Sequence, residues 1–124
     1  MQRFTIKGRL PSRNEAERAA RTHWAVGAKL KKEATEAVMW EAISQHIKPE
    51  SGCVTVEVTF YEKDYRRDED NVQSGIKYIL DGLVQAEILP NDTRRFVRLS
   101  VKPVEVDKRD PRIEVAIYAQ EDRQ

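Results

Sequence analysis

Aspartates, a lysine and a run of arginines carry the chemistry of this sequence. Tyr65-Arg66-Arg67-Asp68-Glu69-Asp70-Asn71 sets two aspartates two residues apart, directly before the apolar-periodic segment Val72 to Leu83, and Asn91-Asp92 follows that segment. Carboxylates placed at a helix mouth and just beyond its end can converge on one divalent cation, because Mg²⁺ and Mn²⁺ take hard oxygen ligands. Arginines beside them can hold a phosphate. Together these groups suit metal-assisted cleavage of a phosphodiester. A plainer reading exists for each. Acidic residues are favoured at helix N-termini as caps, at about 1 kcal/mol each, which accounts for one of Asp68 and Asp70 better than for both. Asn-Asp is ordinary turn chemistry.

The segment after Asp70 adds to the chemical reading. At about 100° per residue, Ser74, Lys77 and Asp81 fall at roughly 40°, −20° and 20° from Asp70, so an unbroken helix puts all four on one stripe. Lys77 and Asp81 are also an i, i+4 pair, and such a surface salt bridge contributes only about 0.2–0.5 kcal/mol. His23 and His46 are single and far apart, and no Cys or His cluster competes as a metal site.

The elements that must position these groups are legible in outline. Residues 3 to 9 alternate and read as a strand, which Leu10-Pro11-Ser12-Arg13-Asn14 ends. A long helical region follows, with a possible interruption over Thr22 to Gly27. From Lys29 to Ile47, Leu30, Ala34, Ala37, Val38, Trp40, Ile43 and Ile47 form an apolar stripe that places Trp40 in the core, whereas Trp24 sits among charged residues and could stack on a base. Cys53 to Tyr61 alternates strictly as a strand. Val72, Ile76, Ile79, Leu80 and Leu83 mark a helix running to about Gln85, capped by Asp68 or Asp70. Phe96 to Val101 and Ile113 to Tyr118 read as strands joined by the charged connector Pro103 to Pro111. The order strand, helix, strand, helix, strand, strand predicts an α/β (α+β) fold, a mixed four-stranded sheet with helices packed on it.

The 124 residues fit a single domain spanning 1–124, large enough for a hydrophobic core without staples. Cys53 is alone and lies in the alternating run, so no internal disulfide can form, and it reads as a small strand residue. No signal-peptide core or apolar run of membrane-spanning length is visible, and a soluble protein of the cytoplasm is expected. Net charge is only +1, but residues 1–32 hold nine Lys or Arg against Glu15 and Glu17, while residues 33–62 hold Lys48 against six Glu. That asymmetry suits an anionic partner on one face and equally a solvated basic surface.

Asp68-x-Asp70-Asn71, then Lys77-Tyr78-Ile79-Leu80-Asp81-Gly82-Leu83, then Asn91-Asp92 resembles the RusA family of Holliday-junction resolvases, small endonucleases often encoded by phages and prophages. The resemblance extends over nearly the whole chain and includes Pro11-Ser12-Arg13-Asn14, similar to a Pro-x-x-Asn element near that family's N-terminus. It implies that Asp68, Asp70 and Asp92 are metal-binding catalytic carboxylates, with Mg²⁺ or Mn²⁺, and that Lys77 is the helix lysine needed for cleavage. Asn71, Asp81 and Asn91 would orient those groups. Two departures stand out: Ser74 occupies the best-known lysine position, and Asn91-Asp92 replaces Asp-Asp. Aligning Lys77 instead implies a three-residue insertion after Asn71, which moves the amine about 4.5 Å along a helix axis while keeping its face.

The function this implies is a homodimeric, Mg²⁺-dependent endonuclease that nicks a four-way DNA junction in paired, symmetric cuts during recombination and repair, in the bacterial cytosol or nucleoid. Arg9, Arg13, Asn14, Lys29, Lys31, Lys32, Arg66, Arg67, Arg94 and Arg95 are the candidate DNA contacts. Two alternatives are a catalytically decayed junction-binding protein and a phage structural or assembly protein whose acidic loop binds structural metal or none.

Overall fold

The structure is a computed structural model that describes residues 1–120. Strands β1 (Gln2–Lys7), β2 (Val54–Glu62), β3 (Val97–Val101), β4 (Glu105–Val106) and β5 (Arg112–Ala119) form one mixed sheet, and helices α1 (Arg13–Thr22), α2 (Trp24–Ser44), α3 (Glu69–Gln73) and α4 (Ile76–Gln85) complete the fold. This is the expected α+β architecture, with β4 as a fifth, two-residue strand inside the charged connector. The sheet order is β1-β5-β2-β3, and β4 pairs with β2 beyond the end of β3. β5 runs antiparallel to both β1 and β2, whereas β3 and β4 run parallel to β2. Parallel neighbours need a crossover, and α3 with α4 supplies it between β2 and β3.

Alternation in β2 directs Val54, Val56, Val58 and Phe60 into the core, where they meet Phe4 and Ile6 of β1, Ile113, Val115 and Ile117 of β5, and Ile79 and Leu83 of α4. Burying each such side chain contributes roughly 1.5–3 kcal/mol. The same alternation continues to Glu62, an acid only 4% exposed at the end of the strand.

The helical region does break near the expected place. Ser12 caps α1 through a reciprocal pair: its hydroxyl accepts from the Glu15 backbone at 3.2 Å, and the Glu15 carboxylate accepts from the Ser12 backbone at 3.2 Å. His23 ends α1 with extended backbone and caps α2, its Nδ1 accepting from Ala25 at 3.0 Å. Two expectations need correction. Trp40 is not a core residue: it is 60% exposed, as Ile43 is 43% exposed, and the buried line of α2 is Ala34, Thr35, Val38 and Ala42. Small residues take that line because α4 comes very close. A Cβ added at Gly82 would lie 2.7 Å from the Val38 Cβ and 2.9 Å from the Thr35 carbonyl oxygen.

The expected single helix from Asp70 to Gln85 is the second correction, for it is two helices. At Ser74-Gly75 the bonds shorten to i, i−3 steps, from Gly75 N to Val72 O at 3.1 Å and from Tyr78 N to Gly75 O at 3.1 Å. The Ser74 hydroxyl donates to the Asn71 carbonyl at 2.7 Å, drawing off a backbone acceptor as the first helix ends. Among the described residues no helix is long and apolar enough to cross a membrane.

Candidate active site and nucleic-acid interface

The acidic motif sits where the chain leaves β2 and enters α3. Asp68 occupies the N-cap position but makes no side-chain capping bond, so the capping role expected of its carboxylate is not used. Asp70 lies in the first turn, exposed, with the Arg13 guanidinium 3.6 Å away. Asn71 turns inward instead, its Oδ1 accepting from the Asn14 backbone at 3.0 Å. The Pro-x-x-Asn element and the acidic motif are thus stitched together, Arg13 to Asp70 and Asn14 to Asn71.

Arg67 anchors this corner from below. Its Nε and Nη2 donate to the two oxygens of Glu62 at 2.8 and 2.9 Å, and its Nη1 donates to the Leu10 carbonyl at 3.2 Å and to Glu15 at 3.0 Å. Arg9 stands 3.5 Å from the same Glu62. With its side chain 12% exposed, Arg67 is committed to the protein and is not presented to a phosphate. Burial opposes ionisation of Glu15, but the Ser12 backbone and hydroxyl bonds and then Arg67 outweigh it and hold its carboxyl below the usual range.

A second cluster forms on α4 and the turn before β3. The Lys77 ammonium is 3.2 Å from Asp81 Oδ1 and 3.2 Å from Asp92 Oδ2. Its hydrogen bonds to Asp81 and then to Asp92 raise its pKa above the ordinary lysine value. Both oxygens touch one nitrogen, so two carboxylates converge on a single positive centre. Asn91 shapes the turn that brings Asp92 there, its Oδ1 accepting from Thr93 N at 3.1 Å.

These side chains border a groove of about 570 Å³ between α2 and α4, lined by Lys31, Lys32 and Thr35 on one wall and by Asp81, Asn91 and Asp92 on the other. Two predicted phosphate contacts and the third aspartate therefore share one cleft. The remaining predicted contacts are dispersed. Lys29 pairs with Glu33 at 3.8 Å, Arg66 reaches Asp64 at 3.7 Å, and Arg94 and Arg95 are exposed in the turn before β3, while in the cleft itself Lys32 also stands 4.0 Å from Glu36.

Asp68 and Asp70 do not join Asp92 as a set of three: among the described residues no three Asp, Glu, His or Cys side chains are grouped as a metal site. The crossover accounts for this: it carries the chain from the C-terminal end of β2 to the N-terminal end of its parallel neighbour, with Asp68 and Asp70 at its entry and Asp92 after α4 at its exit. Glu62 was missed by reasoning from motifs, yet strand alternation points to it, since it continues the buried parity of Val54 to Phe60 and a buried acid calls for a cation. A scan against protein-family models returns no match for this sequence, and a search of curated proteins returns none either.

Proposed function

We propose that this chain is a metal-dependent, structure-selective DNA endonuclease of the RusA type, acting on four-way junctions. The observation that carries the reading is the meeting of Lys77 with Asp92 at 3.2 Å, Asp92 being part of the wall of a groove that Lys31 and Lys32 also line. Those two residues are paired as catalytic lysine and third carboxylate by resemblance alone, and they are fifteen positions apart. Asp81 and Asp92 are hard-oxygen donors of the kind a divalent cation takes, and an ion bound by them would displace the Lys77 ammonium they now share. When bound, such an ion would polarise the scissile phosphate and lower the pKa of the attacking water. The resemblance alone adds Asp68 and Asp70 to the ligand set, for the structure does not group them with Asp92.

In this proposal Lys31 and Lys32 hold the phosphodiester backbone at the groove wall. Lys77 stabilises negative charge developing on the phosphate or the leaving oxygen. Asn71 and Arg67 act on position, tying the acid-bearing corner to α1 and to the end of β2. Paired nicks call for two copies of the site, so a homodimer belongs to the proposal and is checked by sedimentation.

A second reading is a junction-binding protein without cleavage. It is favoured by the Lys77 ammonium being shared between two carboxylates. One experiment separates them: labelled four-way junction and linear duplex are incubated with wild type and Asp92→Asn, with Mg²⁺ or with chelator. Mg²⁺-dependent cutting of the junction, lost in Asp92→Asn, is expected. Binding without cutting favours the second reading, and neither binding nor cutting overturns both.

A further inference from the structure

α1 and the first half of α2 form a helical hairpin, tied to the rest of the fold at the start of α1 by Arg13, Asn14 and Glu15. None of the α1 residues is buried. The two helices are held close by small side chains, for a Cβ added at Gly27 would lie 2.9 Å from the Ala20 Cα. Residues 13–32 carry six Lys or Arg against two Glu. At the tip, where one helix hands over to the next, stands Trp24, 76% exposed, its ring centroid 5.6 Å from that of His23. A large flat ring exposed among basic residues offers its face to a partner that is both flat and anionic.

Its place on α2 links it to the groove. At about 100° per residue, Ala28, Lys31 and Thr35 fall at roughly 40°, −20° and 20° from Trp24, so all four share one stripe of the helix. Ala28, Lys31 and Thr35 line the groove opposite Asp81 and Asp92. Trp24 therefore continues the groove wall outward, about 10.5 Å beyond Lys31 along the axis.

We infer that Trp24 is a base-stacking subsite for an unpaired DNA strand whose phosphates run along Lys31 and Lys32 toward the Asp81–Asp92 wall. The inference rests on the proposed nuclease reading and deepens it, giving that groove a preference for DNA with unstacked bases. A paired duplex offers phosphates to the lysines but no free base face to the indole. An unpaired strand, or the opened centre of a branched junction, offers both.

The test uses the full-length protein carrying Trp40→Phe, so that Trp24 is the only tryptophan. It is titrated with a thymidine 15-mer, a four-way junction and a linear duplex, without Mg²⁺, while binding is followed separately by the anisotropy of labelled DNA. Quenching of Trp24 fluorescence by the 15-mer and the junction is expected, with little change on the duplex at equal saturation. Trp24→Ala should weaken binding of the 15-mer by about five- to a hundredfold, with Trp24→Phe recovering much of the loss and duplex affinity nearly constant. Lys31→Gln should weaken all three DNAs. Binding without quenching, or an equal loss on duplex and single strand, overturns the subsite and leaves the nuclease proposal standing. Quenching without Mg²⁺-dependent cutting supports the subsite and defeats the nuclease. No binding to any DNA overturns both, and a change in self-association alone on Trp24→Ala assigns the indole to a protein contact and overturns the inference.

Discussion

Replacing Glu62 with Gln should unfold this protein more readily than almost any other isosteric change. Glu62 is 4% exposed at the C-terminal end of β2, accepts two hydrogen bonds from Arg67 at 2.8 and 2.9 Å, and has Arg9 3.5 Å away. Removing one charge of a buried pair costs about 3–5 kcal/mol, because the partner is left desolvated and uncompensated. Here Arg67 retains the Leu10 carbonyl at 3.2 Å and Glu15 at 3.0 Å, and a Gln oxygen can still accept one bond. The expected loss is therefore about 2–3 kcal/mol. For a chain of this size that lowers Tm by roughly 6–15 °C. Thermal and urea unfolding followed by circular dichroism measure it, and a cycle with Arg67→Met isolates the pair, for which a coupling of about 0.5–3 kcal/mol is expected. The double change Glu62→Leu with Arg67→Met should recover much of the stability, since apolar replacement removes both desolvation costs. A Glu62→Gln variant within about 0.5 kcal/mol of wild type, or an additive cycle, would refute the reasoning.

Gly82→Ala should destabilise by about 1–3 kcal/mol despite the better helix propensity of alanine, because the new methyl would sit 2.7 Å from the Val38 Cβ; urea unfolding reports it. Lys77→Gln should lower junction cutting by about a hundredfold or more while shifting stability by less than about 1 kcal/mol, its side chain being 61% exposed; single-turnover cleavage and melting separate the two effects. Glu15→Gln keeps the capping geometry and removes the charge. The Glu15 carboxyl is held below its ordinary value of 4.5, so its ionised form adds stability that is fully present above pH 4.5 and is lost as pH falls through the depressed value. Wild type and variant should thus differ at neutral pH and converge in acid, as pH-dependent urea midpoints would show.

Much of the fold was legible because its strands bury one face. The alternation of Val54, Val56, Val58 and Phe60 determines which side meets the helices, and a one-residue slip would expose all four. The α2 stripe was harder, since that helix carries apolar residues on more than one side and periodicity alone does not rank overlapping stripes. The choice of Ala34, Val38 and Ala42 over Trp40 and Ile43 was made by Gly82 on a different helix. The candidate site divides the same way. That acids, lysines and arginines were present was plain, and Lys31, Lys32, Asp81 and Asp92 do meet at one groove. That Lys77 turns to Asp92, and that Arg67 turns inward to Glu62, depends on a crossover and on a helix junction at Ser74-Gly75, neither of which the residue spacing specifies.

The close approach at Gly82 also works as a gauge for the groove. Thr35 lines the groove on the α2 side, and its carbonyl, with the Val38 side chain, is what a methyl at Gly82 would meet, at 2.9 and 2.7 Å; Asp81, the opposite wall, is the residue before that glycine. The span between the Lys31 and Asp81 walls is therefore fixed by backbone seated against side chain and not by the reach of flexible groups. A larger residue at 82 would act as a shim, wedging the helices apart and widening the cleft along its length, so that a change with no polar atom could alter which strands the cleft admits.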